Sequence, residues 1–229
     1  MDKYEIVKRI ENFAPLELAE SWDCSGWLVK TDKINVKKIL LALTVTDDVI
    51  RQAKTQNCDM IISHHPLFFV PLTYKGINIY CAHTNMDKAQ GGTTDKLIEA
   101  LGLPEGHHCG DFLRTVEYET TVEKFISRLS VLSPNLRFVN NKNISKIKKI
   151  AFCAGSGSEF INEAFEYGCD ALVTGDLKFH TALESPIILF DIGHFESEIN
   201  VLDVFKSLIS SDIEVVKAVE NSPFRQIKS

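Results

Sequence analysis

The chain alternates between apolar residues at helical spacing and short apolar runs closed by turn residues, the pattern of an α/β protein. Ile6, Val7, Ile10 and Phe13 mark one face of a helix over 2–13, which Pro15 stops. A short helix at 16–22, a turn at Trp22-Asp23-Cys24-Ser25-Gly26 and a strand at 27–29 follow. The run at 38–46 is β-branched and apolar and reads as a central strand, with Asp47 as the cap of a helix over 48–55. Next comes Asp59-Met60-Ile61-Ile62-Ser63-His64-His65-Pro66, a buried strand that ends in two adjacent histidines. Pro66 closes the run and biases His65 toward extended backbone. Residues 78–82 form another strand, ending in His83-Thr84-Asn85-Met86-Asp87, and Gly91-Gly92 precedes a helix at 93–101.

The middle of the chain reads as a strand at 114–118, a helix at 122–132 and a strand at 136–139, either a peripheral subdomain or an interface element. A second strand–helix series begins at 149–154, with Ala154-Gly155-Ser156-Gly157-Ser158 leading into a helix at 159–167. That turn is either a tight β–α connection or a phosphate cradle at a helix N-terminus. It lacks the Walker lysine pattern and a full dinucleotide fingerprint. A strand at 170–174, a helical turn at 178–183, a strand at 186–192, a helix at 196–210 and a last strand at 213–218 complete the reading.

The chain matches itself at a constant offset of 111. Lys37-Lys38-Ile39 becomes Lys148-Lys149-Ile150, Ala53 becomes Ala164, and Cys58-Asp59 becomes Cys169-Asp170. Phe68 becomes Phe179, Ile77 becomes Ile188, His83 becomes His194, and Asp87 becomes Glu198. The expected organisation is two similar, pseudo-symmetric α/β halves, 1–111 and 147–229, with the segment 112–146 between them and a cleft where equivalent strand ends meet. Ligands of open α/β sheets collect beyond the carboxyl ends of strands. His64, His65 and Asp87 from one half and His194 and Glu198 from the other are therefore expected to converge there as metal ligands. Three imidazoles and two carboxylates suit two first-row divalent ions ~3.5–4 Å apart, with Glu198 bridging. Zinc, iron, manganese and cobalt all accept this donor set. Against this stands the plainer possibility that two histidines after a strand form a polar turn.

His83 is a ligand, an outer hydrogen-bond partner of one, or a proton carrier; His180 is either a proton donor and acceptor to substrate or a polar helix residue. These two are the candidate catalytic residues. His107 and His108 read as structural or surface histidines.

Composition narrows the class. Of 229 residues, 45% are hydrophobic and 24% charged, the balance of an ordinary globular protein. The net charge of −6, with scattered basic residues, makes nucleic acid an improbable partner. The six cysteines form no C-x-x-C pair and four lie in apolar runs, which suggests a reduced, cytoplasmic protein. No apolar run approaches the ~18–20 residues that span a membrane.

The chain resembles the GTP cyclohydrolase I type 2 homologues, also called the NGG-interacting-factor-three-like family, in its short form. The resemblance rests on Ala14-Pro15, Leu18-Ala19-Glu20-Ser21-Trp22-Asp23 with Gly26, Ser63-His64-His65-Pro66, His83-Thr84-Asn85-Met86-Asp87, Thr174-Gly175-Asp176 and Gly193-His194-Phe195-Glu196-Ser197-Glu198. Cys24 departs from it, because the family usually has Asn after Trp-Asp. The resemblance implies a dinuclear centre on His64, His65, Asp87, His194 and Glu198, two similar α/β halves, and a toroidal homohexamer. It implies opening of the guanine ring of GTP with release of formate, although no Lys- or Arg-rich triphosphate pocket is evident. Another nucleotide or phosphoester substrate fits the same centre. A metal storage, delivery or regulatory protein would carry the same five ligands; catalysis requires an open coordination position.

Overall fold

The computed structural model describes residues 1–209 and 211–225, and the chain divides into two compact units. The first comprises residues 1–92 and 201–221, the second 93–200 and the segment from 222 on.

The elements of the chain run in the following order. In the first unit they are α1 (Lys3–Phe13), β1 (Gly26–Val29), β2 (Lys38–Ala42), α2 (Asp47–Thr55), β3 (Met60–Ser63), β4 (Asn78–Cys81) and α3 (Thr84–Lys88). The second unit holds α4 (Thr93–Ala100), β5 (His107–Cys109), β6 (Leu113–Thr121), α5 (Val122–Leu129), β7 (Arg137–Val139), β8 (Lys146–Phe152), α6 (Ile161–Glu166), β9 (Ala171–Thr174), α7 (Phe179–Leu183), β10 (Ile188–Asp191) and α8 (His194–Glu198). The chain then returns to the first unit with α9 (Val201–Ile209) and β11 (Glu214–Lys217). Ser210, the expected last residue of the helix at 196–210, lies outside the described residues. The helix read as continuous there is two, α8 and α9.

The first unit is a five-stranded sheet in the order β1-β4-β3-β2-β11. β11, β2, β3 and β4 are parallel neighbours, and β1 closes the edge antiparallel to β4. Every residue of β3 and β4 is buried, as expected of parallel strands covered on both faces. Val49, Ile50 and Ala53 of α2 pack on Leu40, Ala42, Ile61 and Ile79. α9 lies against α1 and β2. The capping residue of α2 is Thr46, whose side-chain oxygen accepts from Val49 N. Asp47, expected as the cap, is the first helical residue and accepts a hydrogen bond from Tyr74 Oη at 2.8 Å. At 16–22 the chain forms a single 3-10 turn, Leu16–Leu18, in place of the expected helix.

The second unit is a six-stranded sheet in the order β5-β6-β8-β9-β10-β7. β8, β9 and β10 are parallel, whereas β5, β6 and β7 join antiparallel. The middle segment is thus part of this sheet: β6 flanks β8 and β7 flanks β10, with Phe125 and Leu129 of α5 in the core beside Phe152 and Phe190. The strand expected at 213–218 is β11, which pairs with β2 in the first unit.

The two sheets share local detail. Asp59 Oδ2 accepts from the backbone N–H of Lys37 and Lys38, and Asp170 Oδ2 accepts from that of Lys148 and Lys149. Ile39 faces Met60 and Ile150 faces Ala171, both 111 residues on. On the next strand Asn78 faces Met60 while Ile188 faces Ala171, a spacing of 110. The counterpart of Ile188 in the ladder is therefore Asn78, one residue past Ile77. By the same slip Gly193 caps α8 where His83 caps α3, and His194 stands at the first helical position.

Each aspartate holds a strand entry by two backbone hydrogen bonds to a carboxylate, a contribution of about 1.5–3 kcal/mol. Asp59→Ala and Asp170→Ala are each expected to lower the unfolding free energy by that amount in chemical denaturation. Asp→Asn, which keeps one acceptor oxygen, is expected to lose less.

Candidate metal centre

In the first unit three loops leave the carboxyl ends of neighbouring parallel strands β2, β3 and β4, and each contributes to one cluster. The loop after β3 brings His64 and His65. The loop after β4 brings His83, with Asp87 on α3. His64, His65 and His83 offer nitrogen atoms that all lie within 4.8 Å of one another. Their ring centroids are 5.3 Å (His64–His65), 5.3 Å (His64–His83) and 5.8 Å (His65–His83) apart. Asp87 Oδ1 lies 3.4 Å from His64 Nε2.

Each of these imidazoles has an oxygen at its other nitrogen. His64 Nδ1 is 3.0 Å from Ala82 O, and a carbonyl only accepts, so Nδ1 carries the proton and Nε2 the lone pair. His65 Nδ1 is 2.7 Å from Thr44 Oγ1, a residue of the loop after β2. His83 Nδ1 is 3.0 Å from Asp23 Oδ1. Outer oxygens of this kind fix the tautomer and orientation of metal-binding histidines.

Asp23 is itself held on all sides. It accepts from Cys24 N, Ser25 Oγ, Thr84 N and Thr84 Oγ1 in addition to His83. Burial works against its charge, but His83, Thr84 and Ser25 outweigh burial and hold its carboxyl well below the usual range. Thr44 is steadied from the far end of the chain: Glu220 accepts from Leu43 N at 2.7 Å and from Thr44 N at 3.0 Å. Burial pushes the Glu220 carboxyl up, and these two N–H groups pull it back in part.

The second unit holds a smaller cluster at the carboxyl ends of β8, β9 and β10. His194, at the start of α8, places Nε2 3.0 Å from Glu198 Oε2 one turn later and Nδ1 2.7 Å from Asp176 Oδ2 in the loop after β9. Burial lowers the His194 pKa, but Glu198 and Asp176 together overcome it and raise the value to about 9. Asp176 has φ +55°, a left-handed conformation for a non-glycine residue. Glu198 is buried beneath the Gly/Ser turn. Gly155 has φ +71°, the left-handed region that favours glycine, and a Cβ there would displace the Glu198 carboxylate. Gly155 N donates to Ser197 Oγ and Gly157 N to Thr174 Oγ1. Those two N–H groups are committed, so this is a structural β–α turn that makes room for Glu198.

A cavity of about 450 Å³ opens beside His194, lined among others by Arg137, Asp176, Glu196 and Phe224. His180 lies exposed on α7 against the ring of Phe179 and is not among the lining residues. His107 and His108 sit exposed on strand β5 and belong to neither cluster.

Asp23, Thr44, Asp176 and Glu220 were not singled out as site residues from the sequence. Asp176 stands 111 residues after His65, so the offset that located the ligands also pointed to it. No such signal marked Glu220.

The donor set, imidazole nitrogens and carboxylates without thiolate, fits a first-row divalent ion. Among the described residues no helix is long and apolar enough to cross a membrane.

Comparison with known proteins places these clusters in context. The model of the Duf34/NIF3 (NGG1p interacting factor 3) family matches residues 1–224. A Clostridium perfringens protein named GTP cyclohydrolase 1 type 2 homolog is 35% identical over 97% of this chain and 98% of its own. NIF3-like protein 1 of Drosophila melanogaster is 29% identical over 98% of this chain and 89% of its own. Among solved structures, reduced HcgD from Methanocaldococcus jannaschii superposes with a TM-score of 0.83 at 28% identity, covering 95% of this chain and 97% of that one.

The charge on His194 carries a sign that can be checked. A folded-state value of about 9 contributes stability that is complete below the unfolded value near 6.5 and is lost as pH rises through about 9. In chelator-treated protein, the stability advantage of wild type over His194→Gln is expected to shrink across that window, measured by denaturant unfolding at each pH.

Proposed function

Because the chain belongs to the Duf34/NIF3 family, we propose that it is a dinuclear metal-binding protein acting as a metal-dependent hydrolase. In this reading His64, His65 and Asp87 of the first unit and His194 and Glu198 of the second would hold two divalent ions, with Glu198 as the ligand they would share; zinc, iron, manganese or cobalt suits the set. The observation that carries the proposal is that His64, His65 and His194 each have an outer oxygen at Nδ1, which leaves Nε2 as the nitrogen for a metal. The offset of 111, with Asp59 and Asp170 gripping equivalent strand entries, supports two pseudo-symmetric halves in which the clusters occupy corresponding strand ends.

Bound there, the ions would supply Lewis acidity and water activation near neutral pH. The protein's part is orientation and proton transfer. Thr44 and Asp176 hold their imidazoles, Gly155 leaves space for Glu198, and His180, exposed after the carboxyl end of β9, exchanges protons with substrate and solvent. A cavity of about 450 Å³ beside His194 is of the size that takes a small molecule. The names of the bacterial relatives point to GTP as that molecule, with ring opening and formate release; another nucleotide or a phosphoester fits the same chemistry.

The six free thiols suit a reducing, cytoplasmic setting. Exposed Phe68, Phe69 and Leu72 in the first unit, and Phe179 and Leu183 in the second, supply apolar surface for assembly into a homohexamer.

The test begins with metal content per chain on protein purified without added metal, followed by GTP turnover with formate detection. About two ions per chain and steady formate release are expected. Two ions without turnover on GTP, other nucleotides or phosphoesters would replace hydrolysis with metal storage or delivery. His65→Ala and Glu198→Ala are each expected to lose metal while the thermal melt stays cooperative; unchanged metal content in both would end the site assignment. His180→Gln is expected to keep both ions and lose ~10²–10⁴-fold in turnover.

A further inference from the structure

The second unit holds a cavity that the metal reading leaves unused. It has a volume of about 490 Å³ and opens between the end of α4, the far half of β6 and helix α5. Thr120 in its wall faces Ile147 at the start of β8. The cavity therefore lies at the end of the sheet opposite to the one that carries His194. We propose that it binds a small organic anion, one phosphate or carboxylate group on an apolar body, with Lys124 and Arg128 as charge partners and Tyr118 as a hydrogen-bond donor.

The distribution of charge is the main support. Lys124 and Arg128 both line the cavity and stand one turn apart on one face of α5. Like charges at that spacing repel. Lys124 is also the third residue of the helix, in the first turn, where the helix dipole disfavours a cation. A bound anion removes both costs. Among the described residues no carboxylate pairs with either cation, although the chain has 31 acidic residues against 25 basic ones. The carboxylates of the flanking elements are engaged elsewhere: Glu99 of α4 pairs with Lys96 and Glu117 of β6 with Lys149. Glu119 and Glu123 are not among the lining residues.

Arg128 is oriented without being neutralised. Its Nη1 donates to Leu101 O at the end of α4, and its Nη2 donates to Tyr118 Oη at 3.0 Å. Its guanidinium carbon lies 5.3 Å from the centroid of the Tyr118 ring. A carbonyl, a phenol and an aromatic face leave the positive charge whole. Closing the end of α4 accounts for an arginine at this position. It does not account for Lys124, which is exposed and reaches no partner among the described residues.

The rest of the wall suits the body of such a ligand. Tyr118 Oη accepts from Arg128, which leaves its own proton to donate to an anion. Leu101 and Leu132 supply apolar surface, and Val131 stands 83% exposed at the same wall. A solvated helix face has no need of bare apolar side chains beside two cations. The volume falls in the range of small-molecule sites.

The experiment is a titration of the chelator-treated full chain with para-fluorophenyl phosphate, read by fluorine NMR line broadening. Chelation removes bound ions as a competing anchor for the probe. Saturable binding is expected, displaced by excess inorganic phosphate and weakened by added sodium chloride. Para-fluorobenzoate is the carboxylate arm, and the tighter of the two probes identifies the preferred anionic group. Para-fluorophenol, which lacks the charge, is expected to bind at least ~10-fold more weakly. Lys124→Glu is expected to weaken the charged probes at least ~10-fold while the thermal melt and metal content stay those of wild type. Tyr118→Phe is expected to weaken them ~3–10-fold.

Equal binding by wild type and Lys124→Glu would place the probe elsewhere, as in the cavity beside His194, and would overturn the proposal. Absence of saturable binding by both charged probes would overturn it as well. Metal content is not the readout for the site, so loss of the metal assignment leaves this test standing, and failure here leaves the metal centre as it was.

Discussion

Everything chemical in this molecule depends on what stands behind each imidazole. A histidine offers two nitrogens in two tautomers, and a ring free to turn presents neither reliably. Here a backbone carbonyl, a threonine hydroxyl and two carboxylates take the Nδ1 side of His64, His65, His83 and His194. The carbonyl of Ala82 is the strictest of these partners because it cannot donate under any condition. His64, fully buried, therefore has one tautomer dictated by the backbone itself. Side chains that never touch a ligand thus set the direction of those that would.

The sheet makes this arrangement possible. Parallel strands send their carboxyl ends to one edge, so residues distant in sequence become neighbours whenever their strands are adjacent. Thr44, His64, His65 and His83 follow β2, β3 and β4; Gly155, Asp176 and His194 follow β8, β9 and β10. The antiparallel edge strand β1 adds to this. Its register, Gly26 opposite Cys81, returns the preceding loop, with Asp23, to the end of β4.

The parts of this design that were legible in the sequence are those with a local signature. The apolar run ending in His64-His65-Pro66 announced a strand end with ligand-type residues, and the match at 111 linked it to Asp170 and its strand. The illegible parts depend on partners distant in sequence. Thr46 rather than Asp47 caps α2, because Tyr74 engages Asp47 from another segment. The Gly/Ser turn reads from the sequence as either a tight β–α connection or an anion cradle, and only Ser197 and Thr174, distant in sequence, decide for the former by occupying its N–H groups. The one-residue slip between β4 and β10 is invisible to a gapless match, which sets His83 against His194 where the ladder sets it against Gly193. Asp23 looked like part of a turn; its role rests on Thr84 and His83, some sixty residues away.

The route of the chain adds a constraint in time. β11 pairs with β2, and Glu220 just beyond it grips the N–H groups of Leu43 and Thr44, whose hydroxyl steadies His65. A ribosome releases β2, β3 and both histidines long before it releases Glu220. Through that interval the nascent sheet has an unpaired edge at β2, the kind of edge that invites pairing with another chain. Thr44 meanwhile lacks the carboxylate that seats its loop. The support for His65 is complete only once β11 and Glu220 have followed, so the setting of that imidazole is finished well after the strand that carries it.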